Sequence, residues 1–256
     1  HFRAMGAMLT AFSSWHGFTV FEAHTARQYS NHRWLYPLME RRADVVVCLT
    51  QGDARNYPKA RRVEVISNFV RTHAVPASEV ERRCLFVGRL CPEKAPLRLV
   101  RLWKSIVARH PDWKLDIYGE GELEDTVRKE IINLGIGDSV VMHGYISDMA
   151  EVYSRGGILL LCSRTEGLPM VLIEAQNYGL PAVSTDCPYG PADIIKDGDN
   201  GFLVPQDNDA AFVEAVSSLI ADASLRTKMS ESARKTSGRY SREKIMEDWI
   251  KLFLER

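Results

Sequence analysis

At 256 residues with 45% hydrophobic content, the chain can fill one large domain or two small ones, and it is too apolar for disorder to dominate. Its 33 basic and 33 acidic residues cancel, so no overall field holds nucleic acid or an acidic membrane, and any polyanion site must be local. Five scattered cysteines, Cys48, Cys84, Cys91, Cys162 and Cys187, form no CxxC pair, which argues against a disulfide framework or zinc site and for a reduced, cytosolic chain.

From the N-terminus, Thr19-Val20-Phe21 reads as a strand, Gln28 to Arg42 as a helix and Val45 to Leu49 as a strand. A helix follows near Asp53, then a strand over Val63 to Ile66. The turn-like Ser67-Asn68, with Pro76 and Ser78 beyond it, marks a domain boundary. A strand at Cys84 to Val87 then leads through a loop at Gly88 to Pro96 into a helix over Leu97 to Arg109. The unit recurs: strand Leu115 to Tyr118, loop Gly119-Glu120-Gly121, helix Glu122 to Leu134, strand Val140 to His143 and a short helix near Asp148.

The apolar run Ile158 to Cys162 is a buried strand, far short of the ~20 residues that span a membrane. A helix over Pro169 to Tyr178, strands at Ala182 to Ser184 and Gly201 to Val204, and three helical stretches complete the chain. Such alternation implies parallel sheets covered by helices on both faces. A doubly wound unit needs roughly 120 to 180 residues. The first 70 therefore look like the rear half of one, and with no initiator methionine the chain reads as truncated.

In such folds ligands bind at the carboxyl ends of strands. There the loop Ser163 to Val171 enters a helix carrying Glu174, eight positions after Glu166, so that both carboxylates border one cleft. Acceptor-only carboxylates suit sugar or ribose hydroxyls, and a helix N-terminus suits an anion such as phosphate. Arg89 and Lys94, in the loop after the first strand of this part, add a fork and a point charge that fit a diphosphate. A third loop, Thr185 to Pro191, is stiffened by two prolines and a glycine.

Gly88-Arg89-Leu90 with Glu93-Lys94, Tyr118-Gly119-Glu120-Gly121, His143-Gly144-Tyr145, Glu166-Gly167-Leu168-Pro169 with Glu174-Ala175, and Asn200 to Val204 occur in this order. Together they resemble the C-terminal domain of retaining GT-B glycosyltransferases of family four, over essentially Val63 to the C-terminus. The loop Cys187-Pro188-Tyr189-Gly190-Pro191 resembles members that extend bacterial surface glycans, teichoic-acid glucosyltransferases and lipid-linked-oligosaccharide hexosaminyltransferases among them.

The resemblance implies an α/β GT-B fold. It would comprise a partial, acceptor-side Rossmann-like domain over 1–68, a complete nucleotide-sugar-binding domain over 69–240, and a closing helix over 241–256 that crosses back. It assigns Arg89 and Lys94 to the donor diphosphate, Glu166 to the transferred sugar and Glu174 to the ribose. Gly88 and Gly119 belong to the same donor loops. Gly167, Leu168, Met170 and Val171 would offer backbone N–H groups, the backbone at Tyr145 and Ile146 would edge the base, and His24 would stand near the reaction centre. The glycine-rich N-terminal loop of the family is absent from the chain.

The expected partners are a nucleotide-sugar donor, most simply UDP-linked, and a glycan, lipid-linked or teichoic-acid-like acceptor, with no nucleic acid, no metal and no other cofactor. The basic amphipathic stretch His32 to Arg42 reads either as a peripheral contact with the inner face of the cell membrane or as an ordinary helix with a basic face. An epimerase of the same fold would need histidine and acid pairs in both domains. The non-enzymatic alternative is a truncated subunit that binds nucleotide sugar or a partner chain. His24 reads equally well as a satisfied structural histidine, His143 as a core or supporting group, and Asp197-Gly198-Asp199 as a turn rather than a metal motif.

Overall fold

The computed structural model describes residues 17–24, 27–29, 33–71 and 81–255. Strands β1 (Val20–Ala23), β2 (Val45–Cys48) and β3 (Val63–Val65) form a three-stranded parallel sheet in that order. Strands β4 (Arg83–Val87), β5 (Lys114–Tyr118), β6 (Val140–Gly144), β7 (Ile158–Leu161), β8 (Ala182–Asp186) and β9 (Gly201–Pro205) form a six-stranded parallel sheet ordered β6-β5-β4-β7-β8-β9. The larger sheet grows from β4 to one edge, then returns past β4 to build the other. That reversal opens a crevice at the carboxyl ends of β4 and β7.

The larger sheet is covered on both faces, which is why β4 and β7 are apolar without alternation. Cys84 and Phe86 face helices α3 (Pro96–Arg109), α4 (Glu124–Leu134) and α8 (Asp209–Ala221) in one core. Leu85 faces α5 (Met149–Arg155) and α6 (Met170–Asn177) in the other, with Tyr153, Leu172 and Ile173. In α3, Leu99, Trp103 and Ile106 recur at helical spacing and are fully buried, and the Trp103 indole N–H donates to Ser139 Oγ at 3.1 Å. All five thiols are free and buried.

The smaller sheet is covered by α1 (Tyr36–Arg42) on one face, through Tyr36 and Met39 against Val46 and Cys48. Its other face packs on the C-terminal helix, α10 (Arg242–Leu254), where Ile245 and Leu252 meet Val45, Val47 and Ile66. The chain leaves the smaller sheet at Val70 and returns at Ser241 after α9 (Ala223–Ser237), and these two residues pair side by side. No helix among the described residues is long and apolar enough to cross a membrane.

The helix expected over Gln28 to Arg42 is not continuous. Arg27–Tyr29 and Arg33–Leu35 form single 3-10 turns, and α1 begins only at Tyr36. Pro37 explains the start: in the first turn it lacks only an N–H that would have no acceptor, whereas deep inside a longer helix it would break the ladder. Two further helices are one turn long. α2 (Gln51–Ala54) is capped by Thr50 Oγ1, which accepts from Asp53 N at 3.2 Å. α7 (Pro191–Ile194) was not foreseen, since no periodicity announces it; it starts where Tyr189 and Gly190 both take positive φ, 66° and 93°. Thr25, His32, Pro76 and Ser78 lie outside the described residues.

Candidate active site

The loops after β4 and β7 are joined at the crevice. Backbone bonds stitch the first loop to the one after β5: Leu90 N donates to Glu120 O and Leu123 N to Leu90 O, each at 2.9 Å. Gly119, at φ 127°, lies so close that a Cβ there would stand 2.1 Å from Gly88 O, so only glycine permits the nesting. Arg164 N then donates to Glu93 O at 2.7 Å, drawing the loop after β7 against the loop after β4.

Within that seam Lys94 Nζ lies 2.6 and 2.8 Å from Glu166 Oε1 and Oε2. The Glu166 side chain is 6% exposed and that of Lys94 23%, so water screens the pair weakly. The third loop closes over it. A Cβ on Gly190 would meet Pro169 Cδ at 2.4 Å and Gly167 O at 2.8 Å. Cys187, in this loop, has its thiol pushed up to about 12, by burial first and by the Glu166 charge second. Glu93, exposed on the same seam, is held below the ordinary carboxylate value, first by the Cys91 thiol and a backbone N–H, then by Arg89 and Lys94.

Helix α6 starts here. Pro169 offers no side-chain cap, and the first turn leaves the N–H groups of Met170 and Val171 without intrahelical acceptors. One turn in, Glu174 is half-buried and its Oε2 accepts from Tyr153 OH at 2.9 Å.

The structure therefore gathers Lys94, Glu166, the Gly167-Leu168 backbone and the N-terminus of α6. Arg89 is exposed, its guanidinium directed to Cys91 Sγ at 3.9 Å. Tyr145 is 73% exposed, and its N–H reaches Glu120 Oε1 at 3.4 Å. Ile146 lines a cavity of about 260 Å³ with Tyr118 and His143. His24 stands at the carboxyl end of β1, 3.4 Å from Glu22 Oε2, and among the described residues it shares no hydrogen bond or ion pair with Arg89, Lys94 or Glu166.

His143 is not a core residue. Its ring stacks on Tyr118, centroids 4.4 Å apart, and its Nε2 lies 2.9 Å from Asp116 Oδ1. Asp116 is fully buried and also accepts from Arg83 at 2.9 and 2.7 Å. The sequence hinted at this cluster only through a charged residue amid the apolar β5. Asp197 and Asp199 serve their turn and its surroundings: Asp197 Oδ1 accepts from Leu203 N and Asp199 Oδ1 from Ser232 Oγ, each at 2.9 Å. A second cavity, about 500 Å³, lies beside the contact of α2 with the third loop and is lined by Gln51, Arg55, Asp186, Tyr189 and Gln206.

Residues 72–236 match the family described as glycosyl transferases group 1. The amylovoran biosynthesis glycosyltransferase AmsD of Erwinia amylovora is 34% identical over 81% of this chain and 61% of its own length. Among solved structures, the lipopolysaccharide outer core galactosyltransferase WaaB superposes at a TM-score of 0.78 with 26% identity, over 93% of this chain and 69% of that one. TarM of S. aureus, solved with UDP, superposes at 0.84 with 24% identity, over 92% of this chain and 50% of that one, a likeness of fold. The chain spans 61% of the length of AmsD and 60% of that of an uncharacterized glycosyltransferase of Haemophilus influenzae, and from 21 to 66% of other curated relatives it matches. With the GT-B sheet order, the crevice at the reversal and a family match over most of its length, this chain belongs to the glycosyl transferases group 1.

Proposed function

We propose that this chain carries the donor-binding part of a retaining glycosyltransferase. The enzyme moves a hexosyl or N-acetylhexosaminyl group from a UDP-linked sugar to a bacterial surface-glycan, lipid-linked or teichoic-acid-like acceptor. The observation that carries the reading is the Lys94–Glu166 pair at the N-terminus of α6. An ammonium has three protons. Two engage Glu166, and the third is left for a phosphate oxygen; the remaining lone pairs of Glu166 are left for sugar hydroxyls. Met170 and Val171 add free N–H groups and the positive end of a helix. AmsD, named for amylovoran biosynthesis, and WaaB, named for the lipopolysaccharide outer core, support the acceptor class, and the UDP held by TarM supports the donor.

In the reaction, the bond from the anomeric carbon to the diphosphate oxygen breaks, and the acceptor hydroxyl oxygen bonds to that carbon on the same face. Its proton passes to the departing diphosphate. Negative charge grows on the leaving group as the bond breaks, so Lys94, Arg89 and the α6 N-terminus favour the transition state over the bound donor. Glu174 takes the ribose, the Tyr145-Ile146 backbone edges the base, and His24 faces the acceptor. Trp34 and Leu38, 70% and 37% exposed beside Arg41 and Arg42, support a peripheral contact with the anionic membrane that would carry a lipid-linked acceptor.

Calorimetry with UDP in EDTA tests the donor site and the expectation that no metal is needed. Glu174→Ala should weaken UDP by roughly 1 to 3 kcal/mol, as ribose hydroxyls lose a charged acceptor. Glu166→Ala should leave UDP affinity intact or raise it, because it frees Lys94, while discrimination among donor sugars disappears. Loss of all affinity on chelation would remove the metal-free reading, and the reverse pattern of the two variants would show the carboxylates misassigned.

A further inference from the structure

Glu174 is held from behind. Tyr153, on α5, is 1% exposed, and its hydroxyl donates to Glu174 Oε2 at 2.9 Å across to α6. Burial and then the neighbouring Glu174 charge push the phenol up, so it stays protonated and can only donate to the carboxylate. The ring is tilted against Tyr178, 5.6 Å between centroids, which leaves it little freedom to turn away. α5 itself continues from the Tyr145-Ile146 segment, its first turn capped by Asp148 Oδ1 accepting from Ala150 N at 3.0 Å.

The element that follows the base-edging backbone thus also grips the ribose carboxylate. A glutamate side chain has three rotatable bonds, and a half-buried one with no partner would sample several rotamers. The Tyr153 hydroxyl occupies one oxygen and leaves the other for the ribose.

We infer that Tyr153 is a positioning residue for nucleotide binding: it acts through Glu174, holding the carboxylate in the orientation that accepts the ribose hydroxyls and tying the base side of the pocket to the ribose side. This rests on the assignment of Glu174 to the ribose given above. Tyr153 touches no substrate atom; its effect appears only when both Glu174 and the ribose hydroxyls are present.

The test compares UDP with 2′,3′-dideoxy-UDP by calorimetry on wild type, Tyr153→Phe, Glu174→Gln and the double variant, with melting temperatures alongside. Phenylalanine keeps the ring and its packing, so Tyr153→Phe should fold. It should weaken UDP about three- to tenfold, because the carboxylate loses its fixed orientation while keeping its charge, and leave dideoxy-UDP unchanged. In the Glu174→Gln background the Tyr153→Phe change should cost almost nothing. Equal weakening of both nucleotides, or undiminished UDP affinity in Tyr153→Phe while Glu174→Gln loses it, would reduce Tyr153 to a packing residue and leave the ribose assignment standing. Wild type that binds UDP and dideoxy-UDP alike, with Glu174→Gln unaffected, would overturn the ribose assignment and this inference together.

Discussion

Two buried charge clusters, one in each sheet region, differ in what they leave open. In the smaller region Arg27 pairs with Glu40, whose side chain is fully buried, donates to Asn56 O, and lies over both the Tyr36 and Tyr57 rings, 5.4 and 5.5 Å from their centroids. The second Glu40 oxygen accepts from Lys59 N at 2.9 Å, and Asp53 accepts from Arg27 N and Asn56 Nδ2. Every charge there faces a partner or a ring. In the larger region Lys94 and Glu166 face each other, yet the ammonium keeps a third proton and the crevice keeps the uncapped start of α6. Burial of charge does not by itself mark a site; unused donors and acceptors beside a crevice do.

The largest effect should come from opening the closed cluster. Glu40→Ala leaves the Arg27 guanidinium without its anion and Lys59 N–H without an acceptor, in a place water reaches poorly. Urea unfolding should show a loss of about 3 to 5 kcal/mol. UDP affinity of the protein that remains folded should change little, because the cluster meets the third loop through Asn56 Nδ2, which donates to Tyr189 OH at 2.8 Å, and not through Glu40. Reduced UDP affinity at undiminished stability would erase the contrast between the clusters.

Lys94→Ala should cost less stability, about 2 to 3 kcal/mol, since this ion pair is partly exposed. It should weaken UDP about ten- to a hundredfold through loss of a charged donor to phosphate. Adding Glu166→Gln should restore most of the stability, by removing the unpaired carboxylate, and none of the UDP affinity. Recovery of both together would mean that Lys94 serves only to neutralise Glu166.

Much of the larger region was legible because its signals are local. Cys84-Leu85-Phe86 and Ile158 to Leu161 are apolar without alternation, and the loops that follow carry glycine and proline. The motifs placed Lys94 and Glu166 in loops but not against each other, because they are 72 positions apart and meet only through the β4–β7 adjacency. Tyr153 was invisible for a different reason: an aromatic at helical spacing reads as core filling, and its hydroxyl acquires meaning only from Glu174 on another helix. Arg27 stands just before the helix expected over Gln28 to Arg42, and its partners Glu40, Asn56 and the Tyr57 ring are set by the fold rather than by local spacing.

The smallest effect concerns the thiol beside each cluster. Cys187 is raised by burial and then Glu166, and Cys48 by burial and then Asp53, from an ordinary value of 9.0 in both cases. A thiol kept neutral by the fold adds no pH dependence below pH 9, where folded and unfolded chains both hold the proton. Above that value the unfolded chain gives up its proton first, so stability falls, and for Cys187 it goes on falling until the folded thiol ionises near 12. Each thiol should account for about 1 kcal/mol lost by pH 10. Cys48→Ala and Cys187→Ala should each flatten the alkaline loss, and neither should alter the trend below pH 8. Urea midpoints followed by Trp249 on α10, or by Trp103 in the larger core, assign the flattening to a region. If the regions unfold separately, Cys48→Ala acts on the Trp249 signal and Cys187→Ala on the Trp103 signal. Flattening of both signals by either change would mean that the α10 crossover and the Gln51–Asp193 hydrogen bond, at 3.0 Å, make the two sheets unfold as one.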